Sequence, residues 1–244
     1  MSDIVSETRV EGHANEGRPI IEDIEEVKGY FSGLWSDAED CQKRLALQLG
    51  CSQYDPRLSV YTVVRNSAMN IHALVSFYDL FKSGRVQFNM PESTPNPIDL
   101  AYIKIKILRD TRLMFIDGLS AAEYSAKRTI MVKASAPIIK IILRKVKRPG
   151  QLDLESIVDL SYNNELIPVR EYDHWNEIFD IRDCLLYNNS IADTTRKDDF
   201  STPSIRMKKG QRIIISRDGY IDLTYNIIYL YAYLLRAFYG LTRH

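Results

Sequence analysis

The chain has 244 residues, 45% apolar and 26% charged, with 32 Lys+Arg against 32 Asp+Glu and a net charge of zero. That length and mix suit one large globular domain with its own core, and exclude a disordered, highly charged chain or a small scaffold that needs disulfide staples. Zero net charge gives no whole-chain attraction to nucleic acid, so electrostatic partners must be read from local patches.

The cysteines Cys41, Cys51 and Cys184 and the histidines His13, His72, His174 and His244 are scattered, without CxxC or Cys/His spacing. A structural zinc site needs four clustered nitrogen or sulfur ligands, so no metal and no cofactor is expected. An odd, sparse cysteine count fits a reducing compartment. The opening residues are acidic and polar, unlike a secretory leader. No apolar run reaches the roughly 18–20 residues of a membrane span; the nearest approach lies between Asp222 and Arg236. These features predict a soluble cytoplasmic protein that makes no membrane contact.

Residues 1–19 are polar and unpatterned and are expected to form a flexible acidic tail, with a single helical domain over 20–244. From Ile20, IIEDIEEVKGYFSGLW carries apolar residues three and four apart. Ser36 is then expected to cap a second short helix, SDAEDCQKRLALQLG, that ends at Gly50. DPRLSVYTVVRNSAMNIHALVSFYDLFKSG predicts one long helix from near Pro56 to Lys82-Ser83-Gly84. Three prolines make VQFNMPESTPNP a loop. Pro97 suits the first turn of the next long helix, in which a kink is expected at Gly118. Pro137 restarts a helix and Pro149-Gly150 stops it.

LDLESIVDLSYNNEL predicts a short helix, and Pro168 introduces another over EYDHWNEIFDIRDCLLYNN. IRMKKGQRIIIS alternates around Lys209-Gly210, which predicts a small hairpin near Arg206–Ser216. GYIDLTYNIIYLYAYLLRAFYGL is apolar on nearly every side and belongs inside a bundle or at an interface. The expected fold class is all-α, an antiparallel up-and-down helical bundle with a small C-terminal β-hairpin.

Two charges fall on apolar stripes. At about 100° per residue, Trp175, Ile178, Phe179, Leu185 and Leu186 share a face, and Arg182 lies at its centre with Asn189 further along the same line. On the helix around Leu119, the face of Phe115, Leu119, Ala122, Ala126 and Ile130 includes Glu123. An unpaired buried charge is costly. Two arrangements remain open: Arg182 and Glu123 meet as an ion pair, or Arg182 lines a cleft or a dimer face. His174, eight residues before Arg182, reads as a histidine near the helix start.

IRDCLLYNNSIAD, residues 181–193, resembles the Arg-Asn-x-x-Val-His-Asn-Asn-Gly-Ile segment of HEPN-like proteins, a superfamily of small helical bundles. Arg182 matches the family's arginine, Asp183 stands where asparagine is common, Leu186 matches the apolar position and Asn188-Asn189 match the asparagines. FIDGLSAAEYSAK is similar to the family's first core helix, and Lys208-x-Gly210-x-x-Ile213 to its C-terminal layout, so the likeness covers roughly residues 110–242. The resemblance implies a metal-independent RNase of a defence or stress system. In such enzymes an Arg and a His at a dimer interface act on a phosphodiester.

Here the histidine position holds Tyr187. A phenol, with a reference pKa near 10 against about 6.5 for imidazole, is a poor general base at neutral pH. The site that the resemblance implies, Arg182, Tyr187, Asn188, Asn189 and Glu123, is therefore degenerate. Two functions remain open: an RNA-directed protein that acts as an RNase with a degenerate site, or a catalytically silent binding and assembly module that acts through homodimerisation.

Between Tyr124 and Leu152 stand eight Lys/Arg and no acid. Lys140, Arg144, Lys145, Lys147 and Arg148 of that run, with Lys208 and Lys209 downstream, are the candidate RNA contacts. No phosphate loop, dinucleotide fingerprint, HExxH or GxSxG occurs. The homodimer is expected on two grounds: the closing helix has more apolar faces than one bundle contact needs, and the family resemblance implies dimers.

Overall fold

Helix formation follows the apolar spacing closely. The structure, a computed structural model, describes residues 24–85, 100–133, 139–140, 152–187, 190–192, Ile205 and 207–241. Helix takes up 80% of these residues, and no strand occurs among them. The expected all-α class is therefore observed. The tail 1–19, the segment 141–150 and Arg206 lie outside the described residues.

Helix α1 (Ile24–Leu49) is continuous and not the two helices expected on either side of Ser36. Its stripe of Val27, Phe31, Leu34, Ala38, Cys41 and Leu45 is buried throughout. The stripe runs past Ser36 without a break, and burying it along one axis outweighs a serine's preference for a cap. Gly50, at φ 59°, ends the helix. The next start is chemical: the Asp55 side chain accepts from the Arg57 N–H, Pro56 fills the first position, and a 3-10 turn (Pro56–Leu58) leads into α2 (Ser59–Lys82).

Helix α2 runs antiparallel to α1. Lys28 near the start of α1 binds Asp79 near the end of α2 at 2.8 Å. At the other end, the buried Gln42 amide donates to Gln53 O at 2.6 Å and Thr62 Oγ1 at 2.7 Å. Helix α3 (Leu100–Val132) turns back along α2, with the Val60 N–H donating to Ser125 Oγ at 3.3 Å. No break occurs at Gly118. This glycine instead permits close approach, since a Cβ there would stand 3.2 Å from Val64 Cγ2.

After α3 the up-and-down pattern stops. The chain forms α4 (Leu154–Asn163) and α5 (Val169–Leu186) before α6 (Arg217–Tyr239) completes the bundle. Phe115 packs on Tyr220, and Thr129 meets Tyr231, so α6 runs in the same direction as α3. Tyr229 bonds Asp37 and Arg236 bonds Gln48, so it also runs with α1. It opposes α2, whose buried Tyr61 hydroxyl donates to Ile228 O at 3.1 Å. The expectation of up-and-down packing throughout is corrected. Short loops force neighbours antiparallel, whereas a long crossover through α4 and α5 returns the chain to the starting end of the bundle.

The hairpin near Arg206–Ser216 is also corrected. The turn at Lys208–Gln211 exists, but its second limb pairs with residues 190–192 after α5. Ile191 and Arg212 form an isolated antiparallel bridge, and Ile213 N–H donates to Ser190 O at 2.6 Å. This pairing points Ile213 and Ile215 into the core. The many apolar faces of α6 are covered within the chain: Ile221, Ile227, Ile228, Leu234, Leu235 and Phe238 are all buried. They give no support to a dimer through this helix.

The two core-facing glycines predict opposite outcomes. At Gly33 a Cβ would meet only the far end of one side chain, the Tyr225 hydroxyl at 3.1 Å. Gly33→Ala is expected to stabilise by about 0.5–1 kcal/mol through helix propensity. Gly118→Val drives a branched side chain into the stiff Val64 and is expected to cost about 1–3 kcal/mol. Denaturant midpoints measure both, and an undiminished Gly118→Val midpoint would contradict the close α2–α3 contact.

Candidate functional site

The arginine segment sits at the C-terminal half of α5. This helix buries Trp175, Ile178, Phe179, Ile181, Cys184 and Leu185. Arg182 lies at the rim of that face, with its side chain 18% exposed. Its guanidinium lies over the Phe179 ring, 5.1 Å from the centroid. Nε donates to Asp183 Oδ1 at 2.7 Å, and Nη2 to Glu155 Oε2 at 3.1 Å. Burial acts to lower the arginine's pKa, but the bonds and charges of Asp183 and Glu155 offset it, and the net shift is upward.

Of the two arrangements left open for Arg182, the ion pair with Glu123 is not formed. Glu123 binds Lys127 on its own helix at 2.5 Å. The two lie one turn apart on a single face, so Glu123 finds a cation without reaching another helix. The contact that α3 does make with α5 comes from Arg112, whose Nη2 donates to Leu185 O at 3.0 Å. A cation thus satisfies a carbonyl at the helix C-terminus, where the helix dipole favours it.

The partner of Arg182, Glu155, lies in the first turn of α4. Asp153 caps that helix through Ser156 N–H at 2.8 Å. Burial pushes its carboxyl up, but the Ser156 bonds and the charge of Arg182 bring the net shift down. Arg182 therefore clamps α4 to α5 and is balanced by nearby carboxylates. Sequence reasoning missed Glu155. The available signal was the run Asp153-Leu154-Glu155, an N-cap with an acid in the first turn, but nothing in it indicates which cation will approach.

Tyr187 follows the last turn of α5 and is 73% exposed. Five residues beyond Arg182, it points roughly 140° away around the helix axis. Asn188 and Asn189 lie outside the described residues, as do Arg144, Lys145, Lys147 and Arg148. Lys140, Lys208 and Lys209 are exposed. His174 is half-buried in the N-terminal part of α5. No group of three His, Cys, Asp or Glu that could hold a metal occurs among the described residues. None of the described helices is long and apolar enough to cross a membrane.

A second charged node was not foreseen. Arg57 is buried at the junction of the 3-10 turn with the ends of α3 and α6. Nε and Nη2 bind the two oxygens of Asp55, each at 2.8 Å, and Nη1 donates to the Tyr239 hydroxyl. Lys133 Nζ lies 3.9 Å from the centroid of the Tyr239 ring. The Tyr231 hydroxyl donates to Arg57 O at 2.7 Å.

Compared with known proteins, the chain matches no family model, no curated protein and no solved structure.

Proposed function

We propose that this chain is a HEPN-like helical module that acts by binding and assembly, with a second copy of itself as partner, and not by cutting RNA. One observation carries the choice: Arg182, which would have to receive a phosphate, is already held by Glu155 and Asp183. A phosphodiester would have to displace two carboxylates at once. Tyrosine in place of the motif histidine supports the same choice, since a phenol is a weak acid–base group near pH 7.

The clamp predicts a modest stability effect. Glu155 and Asp183 are 47% and 41% exposed, so water solvates them once the arginine is gone. Arg182→Ala is expected to cost about 1 kcal/mol, near the range of solvated ion pairs, and not the roughly 3–5 kcal/mol of a stranded buried charge. The function test is direct. Purified protein is incubated with single-stranded RNA in the presence of a chelator, and its RNA affinity is measured at about 50 and 200 mM salt. No cleavage is expected, and Arg182→Ala should leave affinity and its salt slope unchanged. Cleavage by the parent that disappears in Arg182→Ala would restore the RNase alternative.

A further inference from the structure

Helices α1 and α6 run side by side in the same direction, and their facing edges carry tyrosines and acids. On α1, Glu26, Tyr30, Gly33 and Asp37 recur at three- and four-residue steps. On α6, Asp218, Asp222, Tyr225 and Tyr229 repeat the same steps, so each set is one stripe of its helix. The stripes meet at two points. The Tyr225 hydroxyl stands 3.1 Å from where a Gly33 Cβ would be, and the Tyr229 hydroxyl donates to Asp37 Oδ2 at 3.3 Å. The seam from Asp218 to Tyr229 is roughly 16 Å long.

The chain leaves polar groups of this seam without partners. Among the described residues, the Tyr225 hydroxyl makes no hydrogen bond, and neither Asp37 nor Asp222 pairs with a cation. Burial pushes the Tyr225 phenol up to about 12, and Asp37, Tyr229 and Asp222 add to the shift with no Lys or Arg opposing it. The rings of Tyr225 and Tyr229 stack with planes within 11°, and Tyr229 is 48% exposed. The cations of the two helices are engaged elsewhere. Lys28 binds Glu25 and Asp79, Lys43 binds Glu39, and Arg217 binds Asp218. Arg44 donates to Asp40 O and Arg236 to Gln48, both past the last acid of the seam.

We propose that this seam binds an arginine- or lysine-rich segment of a partner protein, with its cations over the Tyr225 and Tyr229 rings and paired to Asp37 and Asp222. The proposal adds a partner to the assembly role and does not rest on self-association. A cation held between an aromatic face and a carboxylate gains from both. Charge selects against RNA and an anionic lipid surface, since four carboxylates and one arginine line the seam. Length selects a peptide over a single small cation: roughly 16 Å matches about five residues of extended chain.

Fluorescence anisotropy with a labelled peptide of alternating glycine and arginine tests the proposal, with a glycine–glutamate peptide as control. The parent is expected to bind the arginine peptide, more weakly as salt rises, and to ignore the glutamate one. Tyr229→Leu leaves every charge in place and is expected to weaken binding by about 3-fold, the scale of an exposed cation–π contact. Tyr229→Phe keeps the ring and should keep most of the affinity. Asp37→Lys supplies the seam with its own cation and is expected to weaken binding by about 10-fold or more. Asp117→Lys makes the same charge change at an exposed position of α3 and should weaken it far less. Tyr229 is exposed and Asp37 half-buried, so these variants are expected to fold, which circular dichroism checks.

A parent that does not bind the arginine peptide overturns the proposal. So does a Tyr229→Leu affinity equal to the parent's, or an equal loss from Asp37→Lys and Asp117→Lys. Sedimentation of the same samples separates this partner from the homodimer. A monomeric parent that binds the peptide removes the homodimer and leaves the seam. A dimer that Asp37→Lys dissolves makes the second copy the occupant and overturns the partner proposed here.

Discussion

Trp175→Ala is expected to lower the stability of the protein by about 4 kcal/mol, the usual result of emptying a buried indole site. Trp175 is fully buried and stacks on Phe179, with ring centroids 5.6 Å apart and planes within 16°. It lies on the inner face of α5 together with Ile178 and Ile181. The neighbours are helix side chains fixed by their own packing, so the cavity cannot close fully and lost contacts add to the lost transfer energy. For a chain of this length the midpoint should fall by roughly 8–16 °C. Calorimetry or thermal circular dichroism reads it directly. A shift of only one or two degrees would mean that α5 is not seated as described. Because Arg182 lies on this helix, the variant also separates two roles: the clamp with Glu155 cannot by itself hold α5 once its apolar anchor is gone.

The second large effect is expected at Arg57. Arg57→Met keeps the apolar stem but removes a guanidinium that holds both oxygens of Asp55 and the Tyr239 hydroxyl. The Asp55 side chain is about one-fifth exposed, so the carboxylate left behind is poorly solvated. A loss of about 3 kcal/mol is expected, within the range for breaking a largely buried pair from one side.

The pH dependence follows from the direction of the shift. The side-chain hydrogen bond from Arg57 is the main cause that holds the Asp55 carboxyl below its ordinary value. A depressed folded pKa contributes stability that is present above the unfolded value and lost as pH falls through the folded one. The gap between parent and Arg57→Met should therefore be widest near neutral pH and should narrow in acid, below the ordinary aspartate range. Urea titrations at the two pH values check it, and a gap independent of pH would remove Asp55 from the account. The 3-10 turn, rather than the arginine motif of α5, thus carries the most deeply buried ion pair described in this fold.

Helix identity was legible in the sequence because it depends on local spacing. The stripes of α1, α2 and α3 recur every three or four residues, and Gly50 and Pro56 mark helix ends by chemistry that acts within one turn. Ser36 misled because a cap signal is weak beside a continuous buried stripe, and only the packing against α2 shows that the stripe does not break. The direction of α6 was beyond local reading, since it depends on where a long crossover delivers the chain. For the same reason the β-branched run after Gly210 found its partner at residues 190–192 and not in its own neighbour.

The site divided along the same line. That Arg182 needed a partner could be read from its place among apolar residues; which partner could not. An ion pair forms between groups that the fold brings within about 4 Å, and the sequence holds 32 acids from which to choose. Glu123 was the neighbour suggested by pattern, but Lys127 lay one turn away from it on the same helix. The start of α4 placed Glu155 against Arg182, a juxtaposition 27 residues apart in the chain that only the tertiary packing of α4 on α5 decides.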